Sequence, residues 1–211
     1  MLRCYAEDIA AVDTDGLSEG LAHRMARFVF GAQPCGQRGA SPYSRLDEAP
    51  CPDMNLILWR HAEAEDLPDA LSISRSADLQ RPLTRRGRKQ ADASAAWLRA
   101  HLAADYRVVC SPAVRTRETA AALCGAPEIL DALAPGADVG AVLAAIDWPQ
   151  GHEHTVVVGH QPWIGQLASL LLAGQELNWS VKKSGIWWLT ARTRESEAQV
   201  VLRAVIQPDF L

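Results

Sequence analysis

From residue 54 onward the chain alternates between two periods of polarity. "MNLILW" (54–59) is a short apolar run that stops abruptly at Arg60 and His61, the pattern of a strand buried on both faces. "PLTRRGRKQADASAAWLRAHL" (82–102) predicts a helix, with Thr84 as N-cap and Ala91, Ala95, Trp97 and Leu98 on one side. "YRVVC" (106–110) predicts a second strand. It leads through Ser111-Pro112, expected as N-cap and first helical residue, into the helix "AVRTRETAAALC". A turn and a third helix follow over 133–146, then a third strand in "HTVVVGH" (154–160). "QPWIGQLASLLLAG" predicts a helix from about Pro162, closed by Gly174. Two β-like runs, 185–191 and 199–206, end the chain. Strands alternating with helices of this length imply βαβ units, so the expected fold is α/β: a mainly parallel sheet covered on both faces, with a C-terminal β-hairpin at its edge.

Residues 1–53 lack this regularity. Their run "GAQPCGQRGASPYSRLDEAPCPD" is rich in glycine, proline and serine and can bury little, so 1–53 is expected to be a poorly ordered extension and 54–211 the domain. Glu7, Asp8, Asp13, Asp15 and Glu19 argue against an organelle transit peptide, and Met54 is a candidate for the true translation start. With 211 residues the chain suits one ordinary domain plus this extension.

Bulk properties remove several functions. A net charge of −4 gives no reason to expect nucleic acid or an anionic membrane as partner. The five cysteines form no C-x-x-C pair, and their odd number fits a reducing cytoplasm better than a disulfide framework. No apolar stretch approaches the roughly 20 residues that span a bilayer. Neither a P-loop, nor a Rossmann fingerprint, nor a G-x-S-x-G elbow is present. "GHEH" (151–154) precedes a strand and reads as a solvated loop.

Open parallel sheets bind ligands beyond the carboxyl ends of their strands. Arg60 and His61 follow the first strand. Ser111 follows the second, with Arg115 one helical turn on, and His160 follows the third. Taken singly each is ordinary: Arg117 matches Arg115 on composition, and His160 alone is a turn histidine. Taken together, two guanidinium groups, two imidazoles and two helix N-termini face one crevice suited to a phosphoryl group. Trp163, beside His160, is expected at the pocket mouth; the other tryptophans are expected in core or rim.

These residues resemble the histidine phosphatase superfamily, with its R-H-G or R-H-A triplet after the first strand, and within it the SixA-type phosphohistidine phosphatases. The resemblance covers 54 to about 208: "LILWRHAEAE", "RPLTRRGRKQA", "VVCSPAVRTRETAAAL" and "TVVVGHQPWIGQLASLL" match its four blocks in order. It implies a three-layer α/β/α sandwich of the phosphoglycerate mutase type. It also implies that His61 is phosphorylated, that Arg60, Arg115 and His160 bind the phosphoryl oxygens, and that no metal or cofactor is needed. The substrate class implied is a phosphohistidine-bearing signalling or phosphocarrier protein, and the enzyme is expected to be a cytoplasmic monomer. Many relatives carry a carboxylic acid for the leaving group. Glu63, Asp131 and Asp138 are weak candidates here, and Ser111 is a supporting residue. A phosphatase of small phosphomonoesters and a phosphate-binding module without turnover are the competing readings.

Overall fold

The computed structural model describes residues 53–68, 74–152, 154–194 and 197–211. The expectations for the N-terminal extension, and for a start at Met54, fall outside the described residues apart from Asp53. The elements run β1 (Met54–Arg60), α1 (Arg75–Leu79), α2 (Arg85–His101), β2 (Arg107–Cys110), α3 (Val114–Ala121) and β3 (Glu128–Ile129). A short 3₁₀ turn at Asp131–Leu133 leads to α4 (Val139–Ile146), β4 (His154–Gly159), α5 (Trp163–Ala173), β5 (Ile186–Arg194) and β6 (Glu197–Ile206). No helix among the described residues is long and apolar enough to cross a membrane.

One six-stranded sheet has the order β3-β2-β4-β1-β5-β6. The first four strands are parallel, and β5 and β6 add an antiparallel hairpin at the edge. Leu56, Ile57, Leu58 and Trp59 of β1 are all fully buried, as a central strand with both faces covered requires. Ile57 and Trp59 share a core with Val108, Cys110, Val156 and Val158, against Ala91, Ala95 and Leu98 of α2. Strand alternation sends Leu56, Leu58, Val109 and Val157 to the opposite face, where α4 and α5 supply Val142, Leu143, Ile146, Ile164 and Leu167. The expected three-layer α/β/α sandwich is therefore the observed one.

Local chemistry sets the boundaries. Thr84 caps α2, its Oγ1 accepting from Gly87 N at 2.8 Å, and Gly174 closes α5 with a φ of 72°. Trp97, partly buried, packs against the same core from α2; it stacks on His101 at 4.3 Å and meets Trp188 edge-on. Ser111-Pro112 does not begin α3 as expected. That helix starts at Val114 with Ala113 as N-cap, because Ser111 Oγ is engaged by Ala113 N and by His160. A buried polar link joins β1 to β5: Asn55 Oδ1 accepts from Trp188 Nε1 and Thr190 Oγ1 at 2.7 and 2.8 Å.

Candidate active site

His61 leaves β1 already fixed by its backbone. Its N–H donates to Gly159 O at the end of β4 (3.0 Å), and its carbonyl accepts from Ser184 N (3.1 Å). In the ring, Nδ1 lies 2.7 Å from Ala62 O. A carbonyl can only accept, so Nδ1 carries the proton and Nε2 keeps its lone pair. Burial pushes the imidazole pKa down to about 3, with the Arg115, Arg60 and Arg81 guanidiniums adding to the effect and the Ala62 bond opposing it. The ring is neutral at pH 7.

His160 stands 5.2 Å from His61, centroid to centroid, with the rings tilted by 55°. Its Nε2 pairs with Ser111 Oγ at 2.8 Å, while Nδ1 is buried without a partner. Burial first, then His61, Arg115 and Arg60, lower its pKa to about 2. These mutual effects place both imidazoles and both guanidiniums in one electrostatic neighbourhood.

Both arginines are held from behind. Arg60 Nη1 donates to Val181 O at 2.7 Å, and Arg115 Nη2 donates to Asp78 Oδ2 at 2.9 Å while its Nη1 meets the Asp78 carbonyl. The Nε atoms of Arg60 and Arg115 are buried and unpartnered, like His160 Nδ1. Buried N–H groups left without an acceptor are costly, and the two arginine Nε–H groups, with the unpartnered ring nitrogen of His160, suit an anion with several oxygens. Thr119 completes the frame: its Oγ1 donates to Arg115 O (2.7 Å) and accepts from Ala62 N (3.1 Å), tying α3 to the residue after His61.

The structure thus brings together Arg60, His61, Ser111, Arg115 and His160, from the exits of β1, β2 and β4 and from α3. Other expectations need correction. At the two helix N-termini, Ala113 N bonds Ser111 Oγ, Ile164 N bonds His160 O and Gly165 N bonds Pro162 O. Trp163 is not at the mouth but fully buried against Gly159, where an added Cβ would lie 2.1 Å from its ring. The Glu63 carboxylate is turned to α2, accepting from Thr84 Oγ1 (3.0 Å) with Arg86 at 3.7 Å. Asp138 caps α4, and Asp131 lies in the 3₁₀ turn. Of "GHEH", His154 begins β4 at the end away from the site, and Glu153 lies outside the described residues.

Two residues, Asp78 and Arg81, were missed. Asp78 sits between Arg115 and Arg81, which donates to its other oxygen at 3.0 Å. Burial alone would raise its pKa, but the bonds from Arg81 and Arg115 outweigh that and lower it. The available signal was Arg81 at the head of "RPLT" with an aspartate three positions before it.

The model of the histidine phosphatase superfamily (branch 1) matches residues 56–134. A solved structure from Nakamurella multipartitia, assigned to the SixA phosphohistidine phosphatases, is 30% identical; the match covers 76% of this chain and 99% of that one, with a TM-score of 0.58. The chain belongs to the histidine phosphatase superfamily. Within the superfamily its likeness is to the SixA type. The protein histidine phosphatase SixA solved with tungstate is 25% identical over 74% of this chain and 99% of its own, with a TM-score of 0.56. The phosphohistidine phosphatase SixA of Escherichia coli K12 is 28% identical over 58% of this chain and 76% of its own. As a member of this superfamily the chain is a phosphatase.

Proposed function

We propose that this histidine phosphatase removes phosphate from phosphohistidine on a protein through a covalent intermediate on His61, without a metal, as a cytoplasmic monomer serving signalling or phosphocarrier proteins. The observation that carries the reading is the His61 ring: neutral, pinned through Nδ1, and accompanied by the free Nε–H groups of Arg60 and Arg115 and the unpartnered ring nitrogen of His160. Phosphoryl transfer has a loose transition state with charge on three equatorial oxygens, so positioning and charge stabilisation supply most of the catalysis. His61 Nε2 attacks phosphorus. The P–N bond to the substrate imidazole breaks, and that imidazole keeps the electron pair and takes a proton from solvent. Water then attacks phosphorus on the opposite side from His61, the new P–N bond breaks, and phosphate leaves with the ring neutral again.

The leaving group supports this substrate class. An imidazole has a conjugate acid with pKa of about 6.5, so it needs far less protonation than a sugar or serine alkoxide. No step is assigned to Glu63, whose carboxylate is held by Thr84 and Arg86. The SixA relatives support the same choice.

The test is a rapid quench of the protein with a radiolabelled phosphohistidine phosphocarrier. Acid-labile label on His61 that chases into phosphate is the expected result, and His61→Ala should abolish both trapping and turnover. Faster turnover of a phospho-sugar than of phosphohistidine protein or phosphoramidate would overturn the substrate class. Binding with no trapping and no turnover would make the protein a phosphate-binding module instead.

A further inference from the structure

The stretch joining α5 to β5, residues 174–185, borders the site on several sides. Beside His160, Gln161 Nε2 donates to Trp179 O at 2.8 Å, and an added Cβ on Gly165 would lie 1.8 Å from that same carbonyl. Beside Arg60, Val181 O accepts from Nη1 at 2.7 Å and Gly185 O accepts from the Arg60 N–H at 3.1 Å. Beside His61, Ser184 N donates to the His61 carbonyl at 3.1 Å. Between Val181 and Ser184, two of these fastenings, stand Lys182 and Lys183, both exposed to solvent.

Their base is rigid. Gly185 N donates to Lys182 O at 2.8 Å, closing a tight turn in which Ser184 has a φ of 58°. That left-handed conformation is unfavourable for serine and persists because surrounding contacts hold it. Ser184 is buried, its Oγ 3.0 Å from Ser94 Oγ and accepting from Trp59 Nε1 at 3.4 Å. Among the described residues neither lysine has an ion-pair partner. An exposed lysine pair is usually only a solvated surface. This one is set on a fixed turn whose adjoining residues bond the backbone of His61 and the side chain of Arg60.

We propose that Lys182 and Lys183 are specificity-determining residues that read acidic side chains flanking the phosphohistidine on the substrate protein. This rests on the reading of the site as a phosphohistidine phosphatase. Arg60, Arg115 and His160 already serve the phosphoryl group, so the exposed lysines meet what surrounds it. Two exposed ammonium groups without ion-pair partners among the described residues give acidic side chains on a docked protein a local, complementary site. Because the contacts lie outside the reacting atoms, they act equally in ground and transition states and change KM rather than kcat.

The test uses two synthetic phosphohistidine peptides, one flanked by glutamates and one by glutamines, with phosphoramidate as a substrate lacking any flank. The wild type should prefer the glutamate peptide by about three- to tenfold in KM at low salt, with the preference fading at high salt. The Lys182→Ala/Lys183→Ala double variant should lose the preference, and Lys182→Glu/Lys183→Glu should invert it, with phosphoramidate turnover unchanged in both. Equal KM for the two peptides in the wild type, or an undiminished preference in the alanine variant, overturns the inference while leaving phosphohistidine turnover intact. Failure of the wild type to turn over either peptide, with phosphoramidate still hydrolysed, removes the protein-phosphohistidine reading and this inference with it.

Discussion

Arg115 owes its orientation to Asp78, which binds it through both carboxylate and carbonyl while also binding Arg81. Removing the guanidinium and loosening it should therefore differ in degree. Arg115→Ala removes a donor aimed at developing charge and is expected to lower kcat/KM for phosphoramidate by about 10²–10³-fold. Asp78→Asn keeps a hydrogen-bonding oxygen but loses the charged partner, and about a tenfold loss is expected. Steady-state kinetics of the two variants checks the order; Asp78→Asn at wild-type rate would show that Asp78 does not position Arg115. The histidines make a second forecast. With His61 held neutral down to about pH 3 by burial and nearby guanidiniums, its nucleophilic form does not disappear near pH 6.5. The single-turnover rate of His61 phosphorylation by phosphoramidate should stay within about twofold between pH 8 and pH 5. A tenfold decline centred near the ordinary histidine value would mean that His61 titrates as an exposed imidazole.

Elements long enough to show a period were readable in advance; those shorter than one period were not. β1 could be read because four consecutive buried side chains need an apolar run, and α2 because Thr84 marks its start and Ala91, Ala95 and Leu98 recur on one face. The five residues of α1 and the two of β3 give no periodic signal, and with α1 went Asp78. Arg60, His61, Ser111, Arg115 and His160 were legible because topology puts strand exits in one place. The Trp163 error arose from ignoring Gly159, whose missing side chain is the space the indole fills. Gly87 plays a similar part under α2: an added Cβ would lie 1.9 Å from Glu63 O, and that backbone is locked by Thr84 N bonding the same oxygen at 3.0 Å. Gly87→Ala is expected to destabilise by about 2–3 kcal/mol, lowering Tm by on the order of 5–10 °C. Gly125, with nothing within 4 Å of an added Cβ, is the control, and Gly125→Ala should leave Tm nearly unchanged. Calorimetry showing equal shifts for both would remove the close-packing explanation.

Two buried neutral imidazoles side by side also link the stability of the entire domain to pH. In the unfolded chain both histidines titrate near 6.5, whereas folding lowers His61 to about 3 and His160 to about 2. Between those values the unfolded state binds more protons, so stability rises with pH there. The contribution is complete above the unfolded value and is lost progressively as pH falls below it towards the folded values. Asp78 and Glu128, both lowered by arginine partners, add losses of the same sign only in the more acidic carboxylate range. Sulfate keeps a constant charge across this range and stabilises by RT ln(1 + [L]/Kd), about 2.7 kcal/mol at a concentration of 100 Kd. Thermal denaturation should show Tm falling from pH 7.5 to pH 5 without sulfate, and rising when sulfate is added. The Arg60→Ala/Arg115→Ala double variant should lose most of that rise. A Tm independent of pH over this interval, or an equal sulfate effect in the double variant, would show that the histidines are solvated or that the anion binds elsewhere.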